Sequence, residues 1–163
     1  MDIAFKAHRA KTRRIEMNHW VRRWSWAPGA LDEADKPAEK VIRPLLDQKV
    51  YVFGDRTPGC GFLKPDDRIC IYQTQVGIVA EATVARAPER KAVKFLGDPE
   101  RFPWSLKVKD VRYFFEKPVV IDAAMRRRLD AFKGRDPEKA WGWFVISART
   151  VTPADFERLV GRG

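Results

Sequence analysis

The chain has 163 residues, of which 45% are hydrophobic and 33% charged, so it can bury a core and is too apolar for a disordered protein. Its 32 lysines and arginines outnumber 22 acidic residues, and the formal net charge of +10 favours polyanionic partners. No apolar run approaches the roughly 18 residues that span a bilayer, and the two cysteines, Cys60 and Cys70, are too few for a disulfide scaffold. We therefore expect a cytoplasmic protein with free thiols, neither secreted nor anchored to a membrane.

The first 45 residues differ in composition from the rest of the chain. Seven basic residues and a single acid lie between Phe5 and Trp24, and the run is interleaved with Trp20, Trp24 and Trp26. This composition predicts an N-terminal extension, residues 1–45, that packs on a folded domain, residues 46–163. Its tryptophans either dock the extension on that domain or form the wall of a binding pocket. Its candidate phosphate contacts are Arg13, Arg14, Arg22 and Arg23.

Residues 38–46 predict a short helix that Pro44 limits or distorts. From residue 49 the sequence is typical of β-strands. Three strands are predicted over residues 50–53, 68–72 and 76–84. The second and third are expected to form a hairpin, in which Gly77 marks a bulge or a close approach of the backbone.

The second half of the domain begins with a proline-containing loop over residues 86–104. Strand segments are predicted at residues 106–109, 111–115, 119–121 and 142–146. Asp122 is a predicted N-cap for a helix over residues 123–132, and Thr152 with Pro153 opens a closing helix. Trp141 and Trp143 share one face of the last predicted strand and are expected in the core. This order of elements, mostly β with helices near the ends, favours a small mixed barrel.

The ordered set of motifs resembles the EVE branch of the PUA-like superfamily, which is related to YTH and ASCH domains. The resemblance covers residues 49–160. It is carried by Val-Tyr-Val-Phe-Gly at 50–54, Lys-Pro-Asp-Asp-Arg-Ile-Cys-Ile-Tyr-Gln-Thr at 64–74, Val-Gly-Ile-Val-Ala-Glu-Ala at 76–82, the segments at 102–108 and 117–121, and Thr-Pro-Ala-Asp-Phe at 152–156. It implies an α+β fold: a mixed, mainly antiparallel PUA-like pseudo-β-barrel of five to seven strands with short flanking helices.

The resemblance also implies a concave pocket that holds a single, often modified, nucleobase between aromatic faces and edge-reading polar groups. Trp104 is the leading stacking residue, or else plugs the barrel end. Gln73 can both donate and accept, and Asp55 either accepts from a base amino group or caps a turn. The candidate pocket residues are Trp104, Tyr72, Gln73, Thr74, Phe53, Asp55 and Trp26. Beyond the extension, the candidate contacts to the nucleic-acid backbone are Arg56, Arg90, Lys91 and Lys94.

These features predict a monomeric module that binds RNA or DNA, without a cofactor, a metal or a membrane. The alternative is an ASCH-like ribonuclease or nucleoside-acting enzyme. Strand cleavage needs an acid and a base near one phosphate. Both histidines, His8 and His19, precede the barrel. The acid and the base would therefore have to come from Lys64, Tyr72 and Asp67. A third reading has the tryptophan cluster contacting another subunit.

Overall fold

The computed structural model describes residues 19–24, 38–94, 100–145 and 148–163. Within these ranges, six strands form one sheet in the order β2-β5-β4-β3-β1-β6. Neighbouring strands are antiparallel except for the β1–β3 pair, which is parallel. The sheet curls into a half-barrel with a few short helices, so the predicted α+β pseudo-barrel is confirmed. The strands are β1 His19–Trp24, β2 Val50–Phe53, β3 Arg68–Gln73, β4 Gly77–Glu89, β5 Trp104–Tyr113 and β6 Arg149–Val151.

The predicted hairpin is present, because β3 and β4 pair antiparallel. At its start Gly77 has φ of 137°, and a Cβ placed there would lie 2.4 Å from the carbonyl oxygen of Val119. This confirms the predicted close backbone approach, which only glycine tolerates. β4 runs 13 residues and shifts register against β5 at several points, and such irregularities allow a long strand to bend.

In the described residues three α-helices accompany the sheet: α1 Ala38–Asp47, α2 Ala123–Arg128 and α3 Pro153–Leu159. α1 continues through Pro44 and buries Ile42, Leu45 and Leu46 completely. None of the helices in the described part of the chain is long and apolar enough to cross a membrane.

Both predicted N-caps are confirmed. Asp122 accepts a hydrogen bond from the backbone N–H of Met125 at 2.7 Å, and Thr152 accepts one from Asp155 at 3.1 Å. α2 nevertheless ends before the predicted residue 132, with Leu129 in an extended conformation and a 3₁₀ turn over Asp130–Phe132. The buried carboxylate of Asp155 accepts from the N–H groups of Asp130 and Ala131 at 2.7 and 2.9 Å and so holds this turn.

The predicted strand over residues 142–146 is wrong. Gly142–Phe144 form a 3₁₀ turn, in which Phe144 is fully buried against Phe132 at 5.1 Å between ring centroids. Trp141 and Trp143 are partly buried beside the same core. Two further expectations also change: residues 106–109 and 111–113 belong to the single strand β5, and residues 119–121 contribute only an isolated bridge between Ile78 and Val119.

Successive side chains of β3 enter two different core clusters. Ile69 and Ile71 belong to the first cluster, which α1, β2 and β5 also fill, whereas Cys70 and Tyr72 belong to the second, beside α3. Because alternate residues of a strand point to opposite faces, the two clusters lie on opposite faces of β3. Both cysteines are buried thiols.

An ionic cluster joins the C-terminal helix to the sheet. Glu81, only 7% exposed, accepts from Arg68, Arg112 and Arg162 at 3.0, 2.7 and 2.8 Å. Burial alone would raise the pKa of Glu81, but the hydrogen bonds from Arg162 and Arg112 hold it below its ordinary value. Glu157 of α3 receives Arg162 and Arg68 in turn, and these bonds lower its pKa to about 2.

β1 belongs to the segment that the sequence assigns to an extension. The structure places this strand inside the sheet, between β3 and β6. Its register sets Arg23 beside Tyr72 and Trp24 beside Gln73. The division at residue 45 stays a prediction, and at least one strand from the N-terminal side of it is part of the sheet.

Candidate nucleic-acid interface

Two aromatic rings face each other where β2 ends and β5 begins. Phe53 and Trp104 are directly opposed in the antiparallel β2–β5 pair. Their rings are stacked, with centroids 6.2 Å apart and planes inclined by only 3°. Phe53 is buried while Trp104 is partly exposed, so the pair forms a supported aromatic surface at the end of the sheet.

Asp55 fixes the orientation of this indole. The Nε1–H of Trp104 donates to Oδ1 of Asp55 at 2.7 Å, and Arg90 donates to the same carboxylate at 2.7 and 3.4 Å. The bonds from Trp104 and then Arg90 lower the pKa of Asp55. The guanidinium of Arg90 also lies over the Trp104 ring, 5.8 Å from its centroid. Asp55 therefore holds an aromatic ring and a cation together at the surface.

We call the cluster of Phe53, Asp55, Arg90 and Trp104 the Trp104 site, and basic residues follow two of its members in the sequence. Arg56 comes after Asp55, and Lys91 and Lys94 come after Arg90; all three are exposed and form no ion pair with any side chain in the described ranges. Lys91 is held beside the site because its carbonyl oxygen accepts a 2.7 Å hydrogen bond from Ser105, the residue after Trp104. The Trp104 site thus combines a stacking surface with nearby basic residues that have no ion-pair partner in those ranges.

The remaining predicted pocket residues lie elsewhere. Tyr72 is 6% exposed and meets Trp141 edge to face, with ring centroids 5.7 Å apart. Gln73 pairs with Gly77 at the start of β4, and Thr74 follows in the exposed turn.

The two groups are separated by the length of β4 and by the sheet. Gln73 pairs with the first residue of β4, whereas Ser105, next to Trp104, pairs with Glu89 at its end. Tyr72 also belongs to the second core cluster, while Phe53 and Trp104 belong to the first. The structure thus brings together Phe53, Asp55, Arg90 and Trp104, and sets Tyr72, Gln73 and Thr74 apart. Trp26, Arg13, Arg14 and the side chains of Arg22 and Arg23 lie outside the described part.

The residues named for strand cleavage do not form an exposed acid–base group. Asp67 is completely buried and accepts a hydrogen bond from the backbone N–H of Lys64 at 3.2 Å. Tyr72 packs in the second core cluster. Among the described residues, no group of three or more His, Cys, Asp or Glu side chains is placed to hold a metal ion.

Sequence reasoning also missed Phe62. Phe62 is 78% exposed although its neighbours Cys60 and Leu63 are buried, so a short 3₁₀ turn holds it outward. The available signal was an aromatic residue inside a glycine-rich turn, where no core position is expected.

The bond between Asp55 and Trp104 leads to a prediction for the free protein. We expect the pH titration of the Trp104 indole N–H resonance to have its midpoint below 3.8, the ordinary pKa of aspartate, because the bonds from Trp104 and Arg90 lower the pKa of Asp55. Proton NMR against pH measures this, and Asp55→Asn serves as a non-titrating control. A shift centred at or above the ordinary pKa would contradict the bond.

No family model matches the sequence, and a search of curated proteins finds no match. Solved structures do match. The Mmi1 YTH domain in complex with RNA superposes with a TM-score of 0.55 at 9% identity, over 88% of this chain and 76% of that one. The chain therefore shares the fold of this YTH domain. Proteins from Pseudomonas syringae and Pseudomonas putida share it, each with a TM-score of 0.51, at 14% and 16% identity, covering 87% and 88% of this chain and 97% and 98% of theirs.

Proposed function

We propose that this chain is an EVE-like module that binds single-stranded RNA, holding one base against Trp104 while basic side chains contact the phosphates. The observation that carries the proposal is the indole of Trp104, which is backed by Phe53 and oriented by Asp55. Arg56 and Lys91, which follow Asp55 and Arg90 in the chain, form no ion pair with any residue that the structure describes. The fold supports it, since solved complexes of a YTH domain with RNA share that fold.

The chemistry of the Trp104 site suits a planar heterocycle. An exposed indole stacks any base, and such a contact contributes about 1–3 kcal/mol. The second oxygen of Asp55 receives only the 3.4 Å contact from Arg90, so this carboxylate keeps acceptor capacity for an amino or imino group on a base edge. The site therefore recognises a base through its face and through a donor on its edge.

In this proposal, recruitment of the RNA strand depends on Arg56, Lys91 and Lys94. We expect the combined substitution Arg56→Gln, Lys91→Gln and Lys94→Gln to weaken binding of an unstructured RNA and to flatten its salt dependence. Each lost phosphate contact removes about 0.7 from the slope of log affinity against log salt for a single strand. Fluorescence anisotropy at several salt concentrations measures both quantities.

A charge-matched control separates local contacts from net charge. The substitutions Lys40→Gln, Lys117→Gln and Arg127→Gln also remove three positive charges, at exposed positions in α1, in the turn after β5 and in α2. This variant should keep the wild-type slope. Equal losses in the two variants would show a general charge effect and would rule out phosphate contacts around the Trp104 site.

The proposal itself is tested with an RNA and a DNA of one sequence, each about eight nucleotides long, and with a panel of modified nucleosides. Tighter binding of RNA than of DNA, together with a chemical-shift change of the Trp104 indole on binding, supports the proposal. An absence of RNA binding at low salt would overturn it.

A further inference from the structure

Away from the Trp104 site, the indole of Trp143 has two guanidinium groups over its ring. Trp143 has Arg135 over its ring at 4.3 Å and Arg149 at 5.0 Å from the centroid. The indole packs on Phe132 and Phe144, with centroids 5.0 and 5.7 Å away. Trp143 is therefore fixed by the core while it holds two positive charges at the surface.

Neither arginine has a carboxylate partner among the residues that the structure describes. Two acids of the preceding segment have other partners: Asp130 pairs with Lys133 at 2.6 Å, and Glu138 pairs with Arg127 at 2.6 Å. The Nε of Arg149 is buried and has no hydrogen-bond partner in the part of the chain that the structure describes. A buried donor without an acceptor is costly, and two like charges on one ring call for an anion.

This cluster of Arg135, Trp143 and Arg149 lies beside the second core cluster and the Trp104 site beside the first, and a backbone contact links the chain segments next to them. The backbone N–H of Ala148, next to Arg149, donates to the carbonyl oxygen of Pro58 at 3.0 Å. Gly59 packs so tightly on Ala148 that a Cβ would lie 2.4 Å from its carbonyl oxygen. Pro58 follows Asp55 by three residues, at most about 10 Å of chain. The strand end that carries Arg149 is thus joined directly to the loop that carries Asp55.

We propose that Arg135 and Arg149, positioned on Trp143, bind a phosphodiester group of the RNA strand whose base occupies the Trp104 site. The inference rests on the proposed function and adds a second contact to it. A guanidinium fork presents parallel N–H donors that match two phosphate oxygens. The RNA strand then passes the contact between Pro58 and Ala148.

The test compares Arg149→Gln with Lys117→Gln, a charge-matched control at an exposed position in the turn after β5. Arg149→Gln should weaken binding of an RNA of about eight nucleotides roughly tenfold and lower the salt slope by about 0.7, while leaving the affinity for a dinucleotide unchanged. Arg149→Lys should restore the slope but only part of the affinity, because an ammonium cannot form the fork. Lys117→Gln should match wild type. Equal behaviour of the two Gln variants would overturn the proposal.

A separate arm keeps this inference distinct from the proposed function. Inorganic phosphate is titrated into the labelled protein while the indole N–H resonance of Trp143 is followed by NMR. A saturable shift in wild type and Lys117→Gln that is lost in Arg149→Gln supports a phosphate site even if no RNA binds. A resonance that stays unmoved, or that moves equally in all three proteins, overturns it. Circular dichroism confirms that each variant is folded.

Discussion

Replacing Glu81 with alanine is expected to lower the free energy of unfolding by about 2–4 kcal/mol. The carboxylate of Glu81 is nearly buried and receives three arginines, from β3, β5 and the C-terminus. Without it, three guanidinium groups face one another, and Glu157 is left to receive two of them. The three arginines are partly exposed, which places the loss below that of a fully buried charge. Urea unfolding followed by tryptophan fluorescence measures it.

The control for this experiment is Glu39→Ala. Glu39 pairs with Arg43 one turn away on α1, where both side chains are largely exposed, and such pairs contribute about 0.3–0.5 kcal/mol. Glu81→Gln keeps the size of the side chain but not its charge, and its loss in free energy of unfolding should lie between those of Glu81→Ala and Glu39→Ala. If Glu81→Ala costs no more than Glu39→Ala, the ionic cluster does not hold α3 on the sheet.

Elements that depend on local chemistry were predictable from the sequence. The β-branched and aromatic run of β2, the hairpin of β3 and β4, and the caps Asp122 and Thr152 are each specified by residues close to one another in the chain. The 3₁₀ turn at residues 142–144 could not be predicted. Its sequence has strand propensity, but the burial of Phe144 beside Phe132, a tertiary contact, determines its conformation. β1 was not predicted as a strand, because its parallel pairing with β3 joins segments that are far apart in the sequence.

The candidate site was predictable only in part for the same reason. Phe53, Asp55, Arg90 and Trp104 were each singled out, but nothing in the sequence states that β2 pairs with β5. Tyr72 was grouped with them although it alternates with Ile71, which lies in the first core cluster. The period-2 alternation of β3 was the signal that Tyr72 faces the opposite side. The interaction of Arg135 and Arg149 with Trp143 depends on the 3₁₀ turn and had no counterpart in the sequence.

Replacing Trp104 with alanine is expected to reduce the affinity for unstructured RNA by about ten- to a hundredfold, equivalent to losing one base–aromatic stack of about 1–3 kcal/mol. The substitution also frees Asp55 from its 2.7 Å bond to the indole, so an unpaired carboxylate would face the incoming phosphates. Both changes oppose binding. Trp104→Phe restores a ring above Phe53 without the N–H and should recover most of the affinity, which isolates stacking from the orienting bond.

Trp141→Ala provides the matched comparison, because it also removes a partly buried indole under an arginine, but in the second core cluster beside Tyr72. Both alanine variants should lose stability by similar mechanisms, since each leaves a gap beside packed rings. Only Trp104→Ala should lose RNA affinity when both are measured well below their unfolding temperatures. If Trp141→Ala weakens binding and Trp104→Ala does not, the base is held on the Tyr72 side of the sheet, and the Trp104 site is a structural plug at the barrel end.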